Sequence, residues 1–275
     1  MNNISNKSFS VDDLMSLDHS TIVDFAELCL KGFFCCPSTK STLNTKQLFN
    51  NYNYTFYNDS PVLFPKIISE LFSENYDIPL DYHNDSILQY YLLSQIKGKS
   101  EINAPSDSLA ANKHFYRMKK FCEDLSDGYL LDIGCDKPSV SHLFYPKTIR
   151  YHGIDPSFSN DEFKSIGMAE MLPFSDSVFD FVSFNTSLDH ILDYYTAVEE
   201  AFRVLKAKGC LIIASYAWKA KATLLSDNVH FHHFRENQLV SLLINYFEIK
   251  KITRFEDPKG ENHRYGVYIY AEKKS

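Results

Sequence analysis

From Tyr129 onward the chain alternates short apolar runs with longer stretches whose apolar residues recur every three or four positions. Tyr129-Leu130-Leu131-Asp132-Ile133, Ile149 to Ile154, Val178 to Phe184 and Cys210 to Ser215 each read as a buried strand, because they are nearly continuous apolar runs of strand length. Between them, Ile191 to Lys206 carries Ile191, Tyr194, Tyr195, Val198, Ala201, Phe202 and Leu205 on one broad stripe, the pattern of a helix that covers a sheet. Glu236 to Tyr246 reads as the next helix, and Phe247 to Arg254 with Tyr265 to Ala271 as a closing antiparallel pair. This alternation predicts an α/β fold with a mostly parallel sheet covered on both faces.

The first hundred residues follow another pattern. Val11 to Leu30 predicts one or two short helices, with Asp18 or Ser20 as a cap for the second. Phe33 to Leu43, Tyr52 to Tyr57 and Ser60 to Pro65 alternate aromatics with Thr and polar residues, which favours short strands, with Asn-Asp-Ser-Pro as a turn. Ile67 to Tyr76 and Ser86 to Ile96 read as helices, Gly98 to Asp107 as a linker, and Ser108 to Leu125 as a long amphipathic helix. The division expected is an N-terminal helical and β-hairpin module over 1–104, serving as a lid or a subunit contact, and an α/β domain over 105–275.

Charge and cysteine content narrow the classes. The net charge of −7 comes without a long basic run, and the densest basic stretch, Lys113 to Lys120, reads as a solvated helix face, so a nucleic-acid partner is not expected. The six cysteines form no CxxC or CxxH pair, which argues against a structural zinc site. Neither a signal-like h-region nor a run of about 18 apolar residues occurs, so a cytoplasmic protein without membrane insertion is expected. Glycine is scarce at 9, while Phe and Tyr number 22 and 18, aromatic area that a core or a substrate pocket can use.

Candidate chemistry gathers where the strands end. Strand Leu131-Asp132-Ile133 runs into Gly134-Cys135-Asp136, and a glycine there permits a tight turn and close approach of backbone to ligand. Asp136, a residue that tolerates the left-handed conformation, and Pro138, suited to a first helical turn, follow. The next strand ends in Asp155, whose carboxylate can accept from both hydroxyls of a ribose, and charged hydrogen bonds of this kind contribute about 1.5–3 kcal/mol. The dinucleotide fingerprint GxGxxG is absent, which disfavours NAD. Then come Met168-Ala169-Glu170-Met171-Leu172-Pro173-Phe174-Ser175-Asp176 ahead of Val178-Phe179-Asp180, and, past the following strand, Asn185 to Ile191 before Glu199-x-x-x-Arg203-Val204-Leu205.

These segments resemble the class I S-adenosylmethionine-dependent methyltransferases, and most closely the type-11 family that includes quinone C-methyltransferases. The resemblance implies a Rossmann-like, seven-stranded, mostly parallel sheet and S-adenosylmethionine as cofactor. It assigns Asp132, Gly134, Cys135, Asp155, Met168, Ala169 and Asn185 to cofactor binding: Ala169 offers its N–H to adenine, Met168 stands where an adenine-contacting Asp is common, and Asn185 lines the sulfonium site through its backbone. Where the family has glycines this chain has Asp136, Pro138 and Ser139, and the usual helix after Asp155 is shortened or lost. The stretch from Cys35 to Phe64 is similar to a cysteine-rich leader found before some bacterial methyltransferase domains and in the activator subunit of certain RNA methyltransferases. The zinc cysteines are missing here, and a plain hairpin accounts for the pattern nearly as well.

Histidines supply the remaining candidates. His190 and His233 are read as general bases, His230 and Tyr194 as acceptor contacts, and Asp189 as a helix N-cap. Consecutive spacing in His230-Phe231-His232-His233 fits no strong metal template, so no metal is expected. Methyl transfer to a small molecule follows from the resemblance, with O-methylation of a sugar or surface-glycan precursor (polysaccharide biosynthesis) as the first expectation. A quinone or other small-metabolite acceptor is the alternative, and a catalytically silent partner subunit the alternative of another class. The partner expected is thus a small-molecule substrate, with a homodimer contact as one role for the N-terminal module.

Overall fold

The computed structural model describes residues 20–23, 25–35, 56–57, 60–61, 109–136, 138–156, 164–219, 230–257 and 263–275. The helices expected at 67–76 and 86–96 and the linker at 98–107 lie outside them. In chain order the elements are α1 (Phe25–Leu30), β1 (Phe56–Tyr57), β2 (Ser60–Pro61), α2 (Leu109–Phe121), β3 (Gly128–Ile133), α3 (Pro138–Ser141), β4 (Ile149–Asp155), β5 (Lys164–Ile166), β6 (Phe179–Asn185), α4 (Tyr194–Val204), β7 (Leu205–Trp218), α5 (Glu236–Leu243), β8 (Phe247–Glu256) and β9 (Arg264–Lys273). Strands β1 and β2 pair antiparallel, Phe56 with Pro61 and Tyr57 with Ser60, at the hairpin expected there.

Seven strands form one sheet in the order β5-β4-β3-β6-β7-β9-β8. The first five run parallel; β9 is antiparallel to both β7 and β8. From β3 the chain winds outward through β4 to β5, then returns to the other side of β3 for β6 and β7. The strand order therefore reverses between β3 and β6, and open α/β sheets bind ligands outside the carboxyl ends at such a reversal. The seven-stranded, mostly parallel Rossmann-like sheet expected from the sequence is the fold observed. The third parallel strand, β5, has no counterpart in the sequence reading, being only three residues long.

Both faces are buried. Leu131, Ile133, Val182, Phe184, Leu211 and Ile213 pack against Ala197, Val198 and Ala201 of α4 and Leu239 and Leu243 of α5. On the opposite face Leu130, Tyr151, Phe181 and Ile212 meet Met118 and Phe121 of α2 and Tyr145. Paired strand residues share a face, which explains why Leu130 and Tyr151, in register, belong to the same layer.

The N-terminal residues described are fastened to this domain. Val23 N–H donates to the Tyr151 carbonyl at 2.7 Å and Tyr151 N–H to that of Thr21 at 2.8 Å, extending the β4 edge beyond the reach of short β5. The Glu27 carboxylate accepts from Arg150 at 2.5 Å and Tyr129 Oη at 3.0 Å. Phe34 bridges Phe174, and both rings are buried. Arg203 closes this corner: it donates to both oxygens of buried Glu200 (2.7 and 2.9 Å) and to the carbonyls of Phe174 (2.6 Å) and Leu172 (3.1 Å). Glu199, one residue earlier, instead accepts from Tyr246 Oη.

At the sheet's centre Gly134 adopts φ +76°, and a Cβ built there would stand 2.4 Å from Ser187 Cβ. Gly134→Ala meets both a left-handed backbone and a collision, so a loss of about 2–4 kcal/mol is expected, read as a lowered urea midpoint.

Candidate functional site

The carboxyl ends of β3, β4, β6 and β7 bring the candidate residues together. After β3, Gly134 N–H donates to the Ile154 carbonyl at 2.8 Å, tying the glycine bend to β4. Asp136 takes φ 53°, as its left-handed tolerance allows, and α3 begins at Pro138 as anticipated. Cys135 is buried, and its carbonyl accepts from Ser141 Oγ at 2.9 Å.

Asp155 closes β4 with a fully buried carboxylate. One oxygen accepts from Asp136 N–H at 3.0 Å, and the other lies 4.0 Å from Nζ of Lys164, whose side chain is equally enclosed. Lys164 was not singled out in the sequence; no motif marks a lysine opening a three-residue strand. Its Nζ also donates to the Asp136 carbonyl at 3.4 Å, so a cation, a carboxylate and the glycine-loop backbone form one buried unit. Met168 and Ala169 follow β5 and are both buried, Met168 preceding a 3₁₀ turn over Ala169–Met171.

Asp132 does not face this crevice. Its side chain points to the α2 face and is completely enclosed; Tyr151 Oη donates to Oδ2 at 3.0 Å, while Oδ1 has no hydrogen-bond partner among the described residues. The Asp132 carboxyl, expected at the cofactor, is therefore enclosed away from the β3–β4 carboxyl edge, where the backbone of Gly134 and Cys135 lies.

Past β6, Asn185 accepts at Oδ1 from a ring nitrogen of His114, 2.8 Å away, and the other ring nitrogen lies 2.6 Å from Tyr268 Oη. Burial holds the His114 imidazole below its ordinary pKa, in the neutral form. Thr186 adopts φ 56°, a conformation that β-branched residues rarely take. Here His114, Arg117, Thr186, Tyr216 and Tyr268 line a shallow open cleft together with Ser215, whose hydroxyl is buried without a partner among the described residues. The basic stretch of α2 is therefore not simply a solvated face. Arg117 is half-buried, lies 4.8 Å over the Phe255 ring and donates to the Glu256 carbonyl. His114 and Arg117, three residues apart on one helix face, were the signal available for this wall.

Beyond Thr186, Ser187 Oγ donates to the Ile133 carbonyl at 2.5 Å, and Leu188–His190 form a 3₁₀ turn. Asp189 is not the helix cap expected; Asp193 is, accepting from Thr196 N–H at 3.1 Å, because α4 starts three residues later than read. The Asp189 carbonyl instead accepts from Phe231 N–H (2.9 Å) and His232 N–H (3.1 Å), drawing the histidine segment against the post-β6 turn. The His190 and His230 rings lie 4.8 Å apart, and His230 and His233 6.1 Å. His233 stacks flat on Trp218 at 3.7 Å. Tyr194 packs edge-on against His232 and Phe234 and leans on Tyr195. His190, His230 and His233 thus share one neighbourhood, which Tyr194 joins through His232.

A model of the methyltransferase-domain family matches residues 109–254, more than half of the chain, and the chain belongs to that family. Among curated proteins it is 36% identical over 77 residues to the ubiquinone/menaquinone biosynthesis C-methyltransferase UbiE of Rickettsia bellii, 28% of this chain and 30% of that protein. It is 35% identical over 77 residues to the Rickettsia felis protein of the same name. The matched stretch spans under a third of these relatives' length. Among solved structures, the 1,6-didemethyltoxoflavin-N1-methyltransferase of Burkholderia thailandensis aligns at TM-score 0.55 and 17% identity, over 72% of this chain and 94% of that one. The [4+2]-cyclase SpnF aligns at 0.51 and 17%, over 62% and 83%. Both likenesses are of fold.

Burial pushes the Asp132 carboxyl up to about 7, outweighing the neighbouring hydroxyls. The fold holds this proton more tightly than the unfolded chain does, so the stability it confers is present in full below the ordinary value of 3.8 and lost as pH rises through about 7. Asp132→Asn, which has no such proton to lose, should match the parent at about pH 4 and exceed it at about pH 8 in urea midpoint.

Proposed function

We propose that this protein binds S-adenosylmethionine at the carboxyl edge of β3 and β4 and transfers its methyl group to a small molecule held in the cleft beside Thr186. Family membership and the carboxylate at the end of β4, reached by the glycine bend of β3, carry this reading. The residues present fit the cofactor once Asp155 exchanges its contacts with Lys164 and Asp136 for the ribose hydroxyls; the Gly134–Cys135 backbone would take the amino-acid tail, and Met168 and Ala169 the adenine. Asn185 and Thr186 would run past the sulfur. When bound, the cofactor supplies an electrophilic methyl on a sulfonium.

The chain's own part is alignment, exclusion of water and handling of the acceptor's proton. Asn185 is held by neutral His114, which fixes the loop beneath the acceptor. The polar group opposite is the cluster about Asp189, where His190, with His230 and His233 beside it, activates the acceptor. Tyr194 backs that cluster through its contact with His232.

For the acceptor, the aromatic walls of Tyr216 and Tyr268 and the similarity to quinone C-methyltransferases favour a flat ring bearing oxygens, such as a quinol-like compound. O-methylation of a sugar or surface-glycan precursor is the second reading, supported by the leader-like N-terminal stretch. A partner subunit without catalysis has one observation in its favour, the buried ion pair of Asp155 with Lys164. The N-terminal module over 1–104 serves the domain over 105–275 as a cover or subunit contact in this proposal, and the setting is cytoplasmic.

Titration calorimetry with S-adenosylhomocysteine tests the cofactor site. The parent should bind, and Asp155→Asn, checked for fold by circular dichroism, should bind about 10–100-fold more weakly, the size of a charged hydrogen bond. Absence of binding to the parent would remove the enzymatic reading. With a quinol acceptor, His190→Ala should cut turnover by about a hundredfold or more while leaving S-adenosylhomocysteine affinity unchanged.

A further inference from the structure

We infer that Asp189, His190 and His230 bind one divalent first-row transition-metal ion beside the acceptor cleft. Each offers one ligand atom, and the three atoms lie within 4.8 Å of one another. His190 Nε2 is 4.0 Å from Asp189 Oδ1. Bonds from nitrogen and carboxylate oxygen to such an ion are about 2.0–2.2 Å, so the three donors need only a small inward rotation to meet one.

The Asp189 oxygen is the independent sign of a ligand. Its side chain is 4% exposed, and Oδ1 has no hydrogen-bond partner among the described residues. A buried carboxylate oxygen without a donor is costly, and a cation removes that cost. Nor is the grouping an accident of a mobile surface. The two backbone hydrogen bonds from Phe231 and His232 to the Asp189 carbonyl fix His230, forty residues away in sequence, against the turn that carries the other two ligands. His232 Nε2 donates elsewhere, to the Ile191 and Leu192 carbonyls, and His233 is occupied by its stack on Trp218.

Two imidazoles and one carboxylate make a donor set of intermediate softness, suited to zinc, iron(II), cobalt or manganese rather than to magnesium or calcium. Three protein ligands leave open positions, the mark of a site that meets substrate rather than one that braces a fold. The turn that carries Asp189 and His190 follows Thr186, a cleft-wall residue, within four positions, which sets the site next to the cleft. Oxygen donors of the acceptor would fill the open positions and be acidified there; with the ion bound His190 would serve as a ligand in place of a base, and the released proton would pass to His233, the other base candidate. This role rests on the methyl-transfer reading; the binding itself does not.

The test uses the full, untagged chain stripped with chelator. Titration with Co²⁺ should produce a d–d absorption band saturating at one equivalent, displaced by Zn²⁺. His230→Ala and Asp189→Asn should each weaken Co²⁺ by about a hundredfold or more, given that outer-sphere partners alone are worth about 10–100-fold. His263→Gln, outside the cluster, should leave the titration unchanged. A parent that takes up no stoichiometric ion, or variants of either ligand that bind as tightly as the parent, would overturn the site. S-adenosylhomocysteine calorimetry on the same samples separates the two proposals: ion binding without cofactor binding leaves the metal site standing and removes methyl transfer, and the reverse removes the metal alone.

Discussion

Everything at this site depends on the contact between Gly134 and Ser187. The bend after β3 and the loop after β6 approach so closely that a methyl group at position 134 has no room, and the Ser187 hydroxyl spans the gap to the Ile133 carbonyl. That single junction sits where the strand order reverses. It fixes the glycine loop on one side against Asn185, Thr186, Asp189 and His190 on the other, so residues separated by fifty positions share one edge. A parallel sheet supplies the two loops; the absence of a side chain lets them meet.

Polarity at this edge is handled by pairing inside the protein. Asp155 and Lys164, both without exposure, neutralise each other, and the glycine-loop backbone donates to one and accepts from the other. Such a pair contributes little net stability, because desolvation offsets attraction, yet losing one member is severe. On the opposite sheet face Asp132 meets no cation among the described residues, and burial pushes its carboxyl up to about 7 instead. Two aspartates nineteen and four residues from Asp136 thus solve burial differently, one by a counter-charge and one by protonation.

How much of this was legible in the sequence follows from which features are local. Strand and helix periods, the glycine bend and Pro138 at a helix start are encoded in neighbouring residues and were readable; of the Asn-Asp-Ser-Pro turn expected, Ser60 and Pro61 instead pair as strand β2. The start of α4 was misread because Ile191 and Tyr194 fit the same apolar stripe, although the chain first makes a 3₁₀ turn and caps only at Asp193. β5 was too short to leave a pattern. His114 reaches Asn185 across seventy-one positions, and His230 reaches Asp189 across forty-one; nothing in either local stretch announces such a partner. Spacing among His230, His232 and His233 offered no metal template, since two of the three ligands come from a different turn.

The same distribution explains how a common fold carries particular chemistry. The parallel strands and the β3 bend set the strand-order reversal at one carboxyl edge, and the fold built on it is shared by a methyltransferase and a cyclase. In this chain the distinguishing groups stand on loops and on one helix: Thr186 in a strained conformation, neutral His114 on α2, and the Asp189 turn that holds the histidine segment by its backbone. Strain at Thr186 is sustained because its N–H donates to the Ala214 carbonyl at 2.8 Å and Ser187 is anchored immediately after it. The loop is therefore pinned where it leaves β6. Under the proposed function, such a floor with a buried carboxylate and two imidazoles at one end would suit an acceptor recognised by its oxygens, and the aromatic walls one that is flat.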